Sequence, residues 1–191
     1  ANVVSTAAFV NGRRLGAERE RLVDACTRGR SSLFGTGISP GFVELLGIAL
    51  AGISDGIDKV TIREAAHTAA YDSPATEKPA GFGRPIGDRA LPKMTADGTA
   101  VFGEAVAMVA DALAVELDAI VCEAEYAQAV TDIDLGSWRI DAGCVAGIAA
   151  SWQGRVGDRT VVELSFRWKK GFGLDPDWQI EDGHVIEVQG R

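Results

Sequence analysis

Three residues close together in this chain can handle protons: His67, Tyr71 and Asp72. An imidazole titrates near neutrality, and a phenol can donate a hydrogen bond to a developing charge. They sit in the run Glu64-Ala65-Ala66-His67-Thr68-Ala69-Ala70-Tyr71-Asp72-Ser73-Pro74. It follows a strand-like stretch from Asp58 to Ile62 and turns before a proline, which neither a helix interior nor a sheet ladder accepts. If the strand runs on through residue 71, alternation puts His67 and Tyr71 on one face, as a candidate catalytic group with Asp72. The plainer reading keeps His67 as a satisfied strand histidine and Tyr71 at the edge of the core. His184, the other histidine, has no partner near it in sequence and reads as surface.

A second chemical feature is the turn Gly35-Thr36-Gly37-Ile38-Ser39-Pro40-Gly41. It lies between a short strand and an apolar helix, with Asp55 about twenty residues beyond the first glycine, the layout of a dinucleotide-binding turn. The sixth position is Pro40, however, which lacks the amide a pyrophosphate would use, and Glu44 in the first helical turn repels one. The exposed amides suit a neutral carboxamide or a substrate carboxylate instead, and glycines serving turn geometry alone is the other reading. Ser39 is expected to cap the helix, with Pro40 at its first position. No metal site is expected: the two histidines and Cys26, Cys122 and Cys144 match no ligand spacing, and Asp132, Asp134 and Asp141 near Trp138 read as a solvated turn. A serine or cysteine nucleophile lacks its motif or a nearby histidine.

The elements that must position these residues follow from periodicity. A strand to Thr6, a helix over Ala17 to Gly29 and a short strand Ser32-Leu33-Phe34 form a right-handed crossover unit, which belongs to a larger parallel sheet. Phe42 to Ile53 and Gly98 to Val115 are the apolar and amphipathic helices, and Asp58 to Ala69 is the strand leading to His67. Asp72 to Thr95 carries Pro74, Pro79, Pro85 and Pro92 and reads as a functional loop, a lid or arm hinged at Gly81 and Gly83 around Phe82. Four strands complete the chain, over Asp118–Gln128, Gly143–Gln153, Thr160–Trp168 and His184–Val188. Glu163, Ser165 and Arg167 alternate with Leu164, Phe166 and Trp168, the pattern of a sheet with one wet face. Arg167-Trp168-Lys169-Lys170 reads as an edge strand blunted with lysine. The expected class is α+β: an open mixed sheet with helices on one face, preceded by a β-α-β unit.

The 191 residues carry a net charge of −8, which argues against nucleic acid as partner. No apolar run is long enough to span a bilayer, and three distant cysteines fit a reducing compartment, so a cytoplasmic location and no membrane partner are expected.

Taken in order, Asn2-Val3-Val4-Ser5-Thr6, the helix to Gly29, the Gly35–Phe42 run and the Tyr71-Asp72-Ser73-Pro74 turn resemble dihydrodipicolinate reductase-like proteins. Their signature reads Glu-x-His-His-x-x-Lys-x-Asp-x-Pro; here its first His is Ala66 and its Lys is Ala70. The Gly35–Phe42 run together with Gly81-Phe82-Gly83-Arg84-Pro85 resembles the branch of 2,4-diaminopentanoate dehydrogenases and native amine dehydrogenases. In that branch a glutamate follows the first strand, where this chain has Ala7, Ala8 and Phe9.

The resemblance implies an NAD(P)-dependent oxidoreductase acting on a small carbonyl, imine or amine. Residues 1–36 would end a Rossmann domain whose remainder lies outside this chain, and 37–191 would form the substrate-binding and dimerisation domain. By the same resemblance Ser5, Thr6, Gly35, Thr36 and Gly37 border the nicotinamide of NAD or NADP. His67, Tyr71 and Asp72 act on a substrate held by Ser39, Ser73 and Phe82, and the free face of the sheet meets a second copy. The chain by itself is expected to be inactive. The alternative is a stand-alone, non-catalytic ligand-binding or dimerisation module.

Overall fold

The structure, a computed structural model, describes residues 1–6 and 11–190. Ala7, Ala8 and Phe9, where the amine dehydrogenases are expected to carry a glutamate, lie outside them. β1 (Val3–Thr6) and β2 (Leu33–Thr36) pair in parallel, joined by α1 (Ala17–Gly29). An irregular turn, Ile38–Phe42, leads into α2 (Val43–Ala51) and then β3 (Ile57–His67). Three helices follow, α3 (Pro74–Ala80), α4 (Leu91–Gly98) and α5 (Ala100–Ala112). The rest is mostly strand: β4 (Ala119–Ala129), the small β5 (Ile133–Asp134) and β6 (Arg139–Ile140) pair, β7 (Val145–Val156), β8 (Arg159–Lys169), β9 (Leu174–Asp175) and β10 (Gly183–Gly190).

The main sheet has six strands in the order β10-β3-β8-β7-β4-β9, mixed because β3 and β8 run parallel while the other pairs are antiparallel. The registers Ile62↔Leu164, Leu164↔Trp152 and Trp152↔Cys122 put one set of apolar side chains on a single face. The helices cover that face. Phe102 of α5 lies 4.9 Å from Phe166 and 5.9 Å from Trp168 between ring centres. Gly103 allows the close approach, since a Cβ there would stand 2.7 Å from the Trp152 ring. The same crowding holds under α2, where a Cβ on Gly47 would meet Ile62 at 2.9 Å. The apolar alternates of β8 are thus covered within the chain, and the opposite face, with Glu163, Ser165 and Arg167, carries no helix among the described residues.

Two expectations are corrected. Asp72–Thr95 is not a lid loop: it holds α3 and α4, which pack so closely that a Cβ on Gly98 would stand 2.8 Å from the Ala80 backbone. Thr95 Oγ1 donates to the Ala80 carbonyl at 2.8 Å. The prolines misled because Pro74 and Pro92 stand in first helical turns, where a missing N–H costs nothing. Phe82 is 2 % exposed and belongs to the core, so it has no open surface to offer a substrate. Second, β8 is an interior strand between β3 and β7, and Lys169 and Lys170 are buried in ion pairs rather than blunting an edge. Among the described residues no helix is long and apolar enough to cross a membrane.

Candidate functional site

The parallel pair brings Ser5 beside Gly35 and Thr6 beside Thr36, with Gly37 next in the chain. The turn that follows is tight. A Cβ on Gly37 would stand 2.9 Å from the Pro40 carbonyl oxygen, and Gly41 takes φ +148° with its Cα against Thr36. Ser39, Pro40 and Gly41 are non-helical and the N-cap position of α2 is Phe42, so Ser39 is not the helix N-cap that the sequence suggests. Glu44 does that work from inside the helix. Its carboxylate accepts the Gly41 N–H on one oxygen and the Ser39 hydroxyl, at 3.3 Å, on the other.

Glu44 is fully buried and faces the C-terminal end of β3, where Glu64 interacts with it electrostatically. Burial pushes the Glu44 carboxyl above its ordinary range, its hydrogen bonds pull it back, and the nearby Glu64 charge adds to the rise. Glu64 accepts the Trp168 indole N–H at 2.8 Å on Oε1, and its Oε2 lies 3.6 Å from His184 Nε2. A buried carboxylate, a half-buried one and an imidazole therefore gather behind the Thr36–Glu44 turn.

Because Glu44 keeps its proton to a higher pH in the folded protein than in the unfolded chain, the folded state binds more protons. The associated stability is fully present below the unfolded carboxylate value and is lost as pH rises through the raised folded one. Glu44→Gln, which keeps an acceptor for Gly41, is expected to flatten that loss. Urea midpoints followed from about pH 4 to 8 measure it, and an unchanged slope would show that Glu44 is not the titrating group.

β3 ends at His67, so the pleat never reaches Tyr71 and the expected His67–Tyr71 face does not form. His67 also points away from Glu64, since residues three apart on a strand alternate. Its backbone N–H and its Nδ1 both meet Asp182 Oδ1, at 2.8 and 2.7 Å, and its ring lies 5.4 Å from Phe172. The His67 hydrogen bonds hold the Asp182 carboxyl below its usual range. A carboxylate on Nδ1 favours the tautomer that leaves Nε2 as acceptor, the form of an oriented general base. Lys169, beside His67 in register, donates to Asp177 Oδ1 at 2.6 Å and to the Trp178 carbonyl at 3.0 Å on the same side.

The chain then turns at Thr68–Tyr71, closed by the Tyr71 N–H on the Thr68 carbonyl at 3.0 Å. Tyr71 is exposed. Asp72 accepts the Ser137 hydroxyl, and Ser73 begins α3, its Oγ taking a hydrogen bond from Thr76 at 2.8 Å. Ser5, Thr6, Gly35 and Thr36 thus lie side by side at the C-terminal end of the β1–β2 pair, with Gly37 next. Tyr71, Asp72 and Ser73 follow one another after β3, whereas the contacts of Ser39 and His67 lie on opposite faces of that strand.

Sequence reasoning missed Glu44, Asp182, His184 and the lysines as partners. Glu44 was signalled by its charge inside an otherwise apolar run, and Lys169-Lys170 by two charges ending a strand whose alternate residues are apolar. His184 and Asp182 carried no local signal, since antiparallel pairing alone sets His184 opposite Glu64.

Residues 42–191, from α2 onward and including Glu44, Glu64 and Lys170, match the model of the 2,4-diaminopentanoate dehydrogenase C-terminal domain. An amine dehydrogenase of Streptomyces virginiae is 26% identical over 181 residues, which cover 91% of this chain and 50% of that protein. This chain therefore spans half the length of that relative. The structure of an amine dehydrogenase from Mycobacterium smegmatis superposes with a TM-score of 0.55 at 15% identity, covering 84% of this chain and 46% of the other, and shares its fold. The chain belongs to the 2,4-diaminopentanoate dehydrogenase C-terminal domain family.

Proposed function

We propose that this chain is the substrate-binding and dimerisation part of an NAD(P)-dependent oxidoreductase acting on a carbonyl, imine or amine of a small molecule. Residues 1–36 are the end of its dinucleotide-binding domain, 37–191 the substrate domain, and the chain turns over only with the remainder of that first domain present. The observation that carries this is the β1–α1–β2 unit. Val3 and Val4 alternate to opposite faces of the pair and are 52% and 66% exposed, with Phe34 at 54%. Parallel sheets are covered on both faces, and this pair is bare on both.

The first turn suits the nicotinamide end of a dinucleotide. Ser5, Thr6 and Gly35–Gly37 meet at the C-terminal edge of parallel strands, where such ligands bind. Glu44 behind the turn disfavours a pyrophosphate there, so the phosphates fall to the other part of the dinucleotide domain. Nicotinamide, when bound, supplies the hydride acceptor or donor. Ser39, Tyr71, Asp72 and Ser73 then face the substrate, while His67, held by Asp182, lies on the opposite face of β3 from Ser39. Fluorescence titrations with NADH and NADPH, and amine-dependent NAD(P) reduction, test the reading on this chain and on its longer parent. Binding and turnover by the parent alone are expected. Turnover by this chain alone, or no nucleotide binding by either, overturns the reading.

The helix-free face supports a homodimer. An open cleft of about 950 Å³ lies over it. Arg63 and Arg167 stand on the β3–β8 side of β7, and Glu123 and Glu125 on the β4 side. A two-fold axis running along β7 sets the arginines of each copy on the glutamates of the other. Within one copy Arg63 pairs with Glu187 and Glu123 with Arg155, exposed contacts worth about 0–1 kcal/mol that readily exchange. Glu123→Lys with Glu125→Lys, and separately Arg63→Glu with Arg167→Glu, are each expected to give monomers. An equal mixture of the two is expected to restore the dimer mass in light scattering, and dimers in all three samples would remove this face from the interface.

A further inference from the structure

We propose that Lys170, set in place by Glu77, is the positioning residue of the Thr68–Tyr71 turn, drawing its two carbonyls together and so fixing where Tyr71 and Asp72 stand. The role of that turn in binding substrate rests on the function proposed above; the positioning itself does not.

The Lys170 side chain is completely buried, and Nζ donates to the Thr68 carbonyl at 2.7 Å, to the Tyr71 carbonyl at 3.1 Å and to Glu77 Oε1. An ammonium has three hydrogens, and three acceptors use them all, so none is left for a reacting group. Lys170 therefore holds and does not react. Both ends of the clamp are anchored. The Lys170 backbone N–H donates to Ala146 of β7 at 2.8 Å, and the Glu77 N–H donates to the Ser73 carbonyl at 3.1 Å at the start of α3. The Tyr71 and Phe82 rings lie 5.9 and 5.5 Å from the ammonium, with Phe82 part of the core. From the far side, Ser137 binds Asp72.

Stability alone does not explain such a pair. Burial pushes the Glu77 carboxyl up and the Lys170 ammonium down, each toward its neutral form, and Glu77 Oε2 is buried without a hydrogen-bond partner. Buried ion pairs often match or fall short of apolar replacements in stability, while their geometry is specific. Here the geometry acts on two backbone carbonyls, of Thr68 and Tyr71, that bracket Ala69 and Ala70, and the exposed phenol of Tyr71 extends from the end of that bracket.

The chain has two tyrosines, Tyr71 and Tyr126, so incorporation of 3-fluorotyrosine gives two fluorine resonances, assigned through Tyr71→Phe. Tyr126, whose hydroxyl pairs with Thr95 Oγ1 at 2.9 Å, is the internal control. Lys170→Met is expected to shift or broaden the Tyr71 resonance and leave that of Tyr126 in place. Since that variant strands the Glu77 carboxylate and lowers stability, the double variant Glu77→Leu with Lys170→Met serves as the decisive one. It is expected to regain the melting temperature while the Tyr71 signal stays displaced. Glu77→Gln, which keeps an acceptor for Lys170, is expected to leave the Tyr71 signal unmoved. A Tyr71 resonance unchanged in both Lys170 variants, or restored in the double variant, overturns the proposal. In the longer parent the double variant is expected to raise the amine KM about tenfold or more, with NAD(P)H affinity changed less than about twofold. A wild-type parent that binds neither NADH nor NADPH would overturn the proposed function while leaving the fluorine result to decide the positioning role.

Discussion

Phe166→Ala is expected to remove about 3–5 kcal/mol of folding stability. Phe166 is 2 % exposed, sits on the interior strand β8, stacks on Trp168 at 3.9 Å and meets Phe102 of α5 at 4.9 Å. Truncation removes an aromatic side chain from between two aromatic neighbours, Trp168 and Phe102, and leaves a cavity that the pleated sheet cannot collapse to fill. The effect also reaches the candidate site. Trp168 is held on one side by Phe166 and on the other by its indole hydrogen bond to Glu64, so loosening the stack loosens the carboxylate. Denaturant midpoints and near-ultraviolet circular dichroism measure both parts, with Phe166→Leu expected to cost distinctly less than the alanine variant. A loss below about 1 kcal/mol would show that α5 is not seated by this aromatic cluster.

Gly41→Val is expected to cost about 1–3 kcal/mol from backbone strain alone, and to dislodge the turn that joins the two parts of the chain. Gly41 takes φ +148°, where a β-branched residue is a severe outlier. A Cβ there would also stand 3.2 Å from the Thr36 carbonyl carbon and 3.3 Å from its Cα, atoms of backbone that have nowhere to move. Relief of that contact pulls the Gly41 N–H from the Glu44 carboxylate, which is then buried with one fewer donor. In the longer parent the expected signature is weakened NAD(P)H binding with the sheet intact by far-ultraviolet circular dichroism. Native nucleotide affinity in a fully folded Gly41→Val protein would remove this turn from the cofactor site.

Both expectations depend on features that the sequence displayed unequally. Alternation of Glu163, Ser165 and Arg167 with Leu164, Phe166 and Trp168 announced a strand with one apolar face, and that face is where α5 packs. Helix periodicity placed α1 over Ala17–Gly29 and located α2 and α5 to within a few residues at their ends. Gly157-Asp158 between two alternating runs is the turn joining β7 to β8, with Gly157 at φ +57°. These signals are local: each is written within one turn of helix, one pleat or one reversal.

Non-local pairing decided the rest. That β8 lies inside the sheet, parallel to β3, depends on residues about a hundred positions apart, and it turned two lysines from an exposed edge into buried cations. Pro74 and Pro92 carry a breaker signal that becomes a helix-start signal only when α3 and α4 have each other to pack against. The partners of the candidate site follow the same rule, with Asp182 meeting His67, His184 meeting Glu64 and Lys170 meeting Glu77 across long spans of chain. By itself the sequence determined α1, α2, α5, the long strands, the wet face and the family resemblance at residues 35–42 and 64–74. Only the tertiary structure decided which charges are buried together, because the desolvation that couples a carboxylate to a distant cation exists only once the sheet has closed around both.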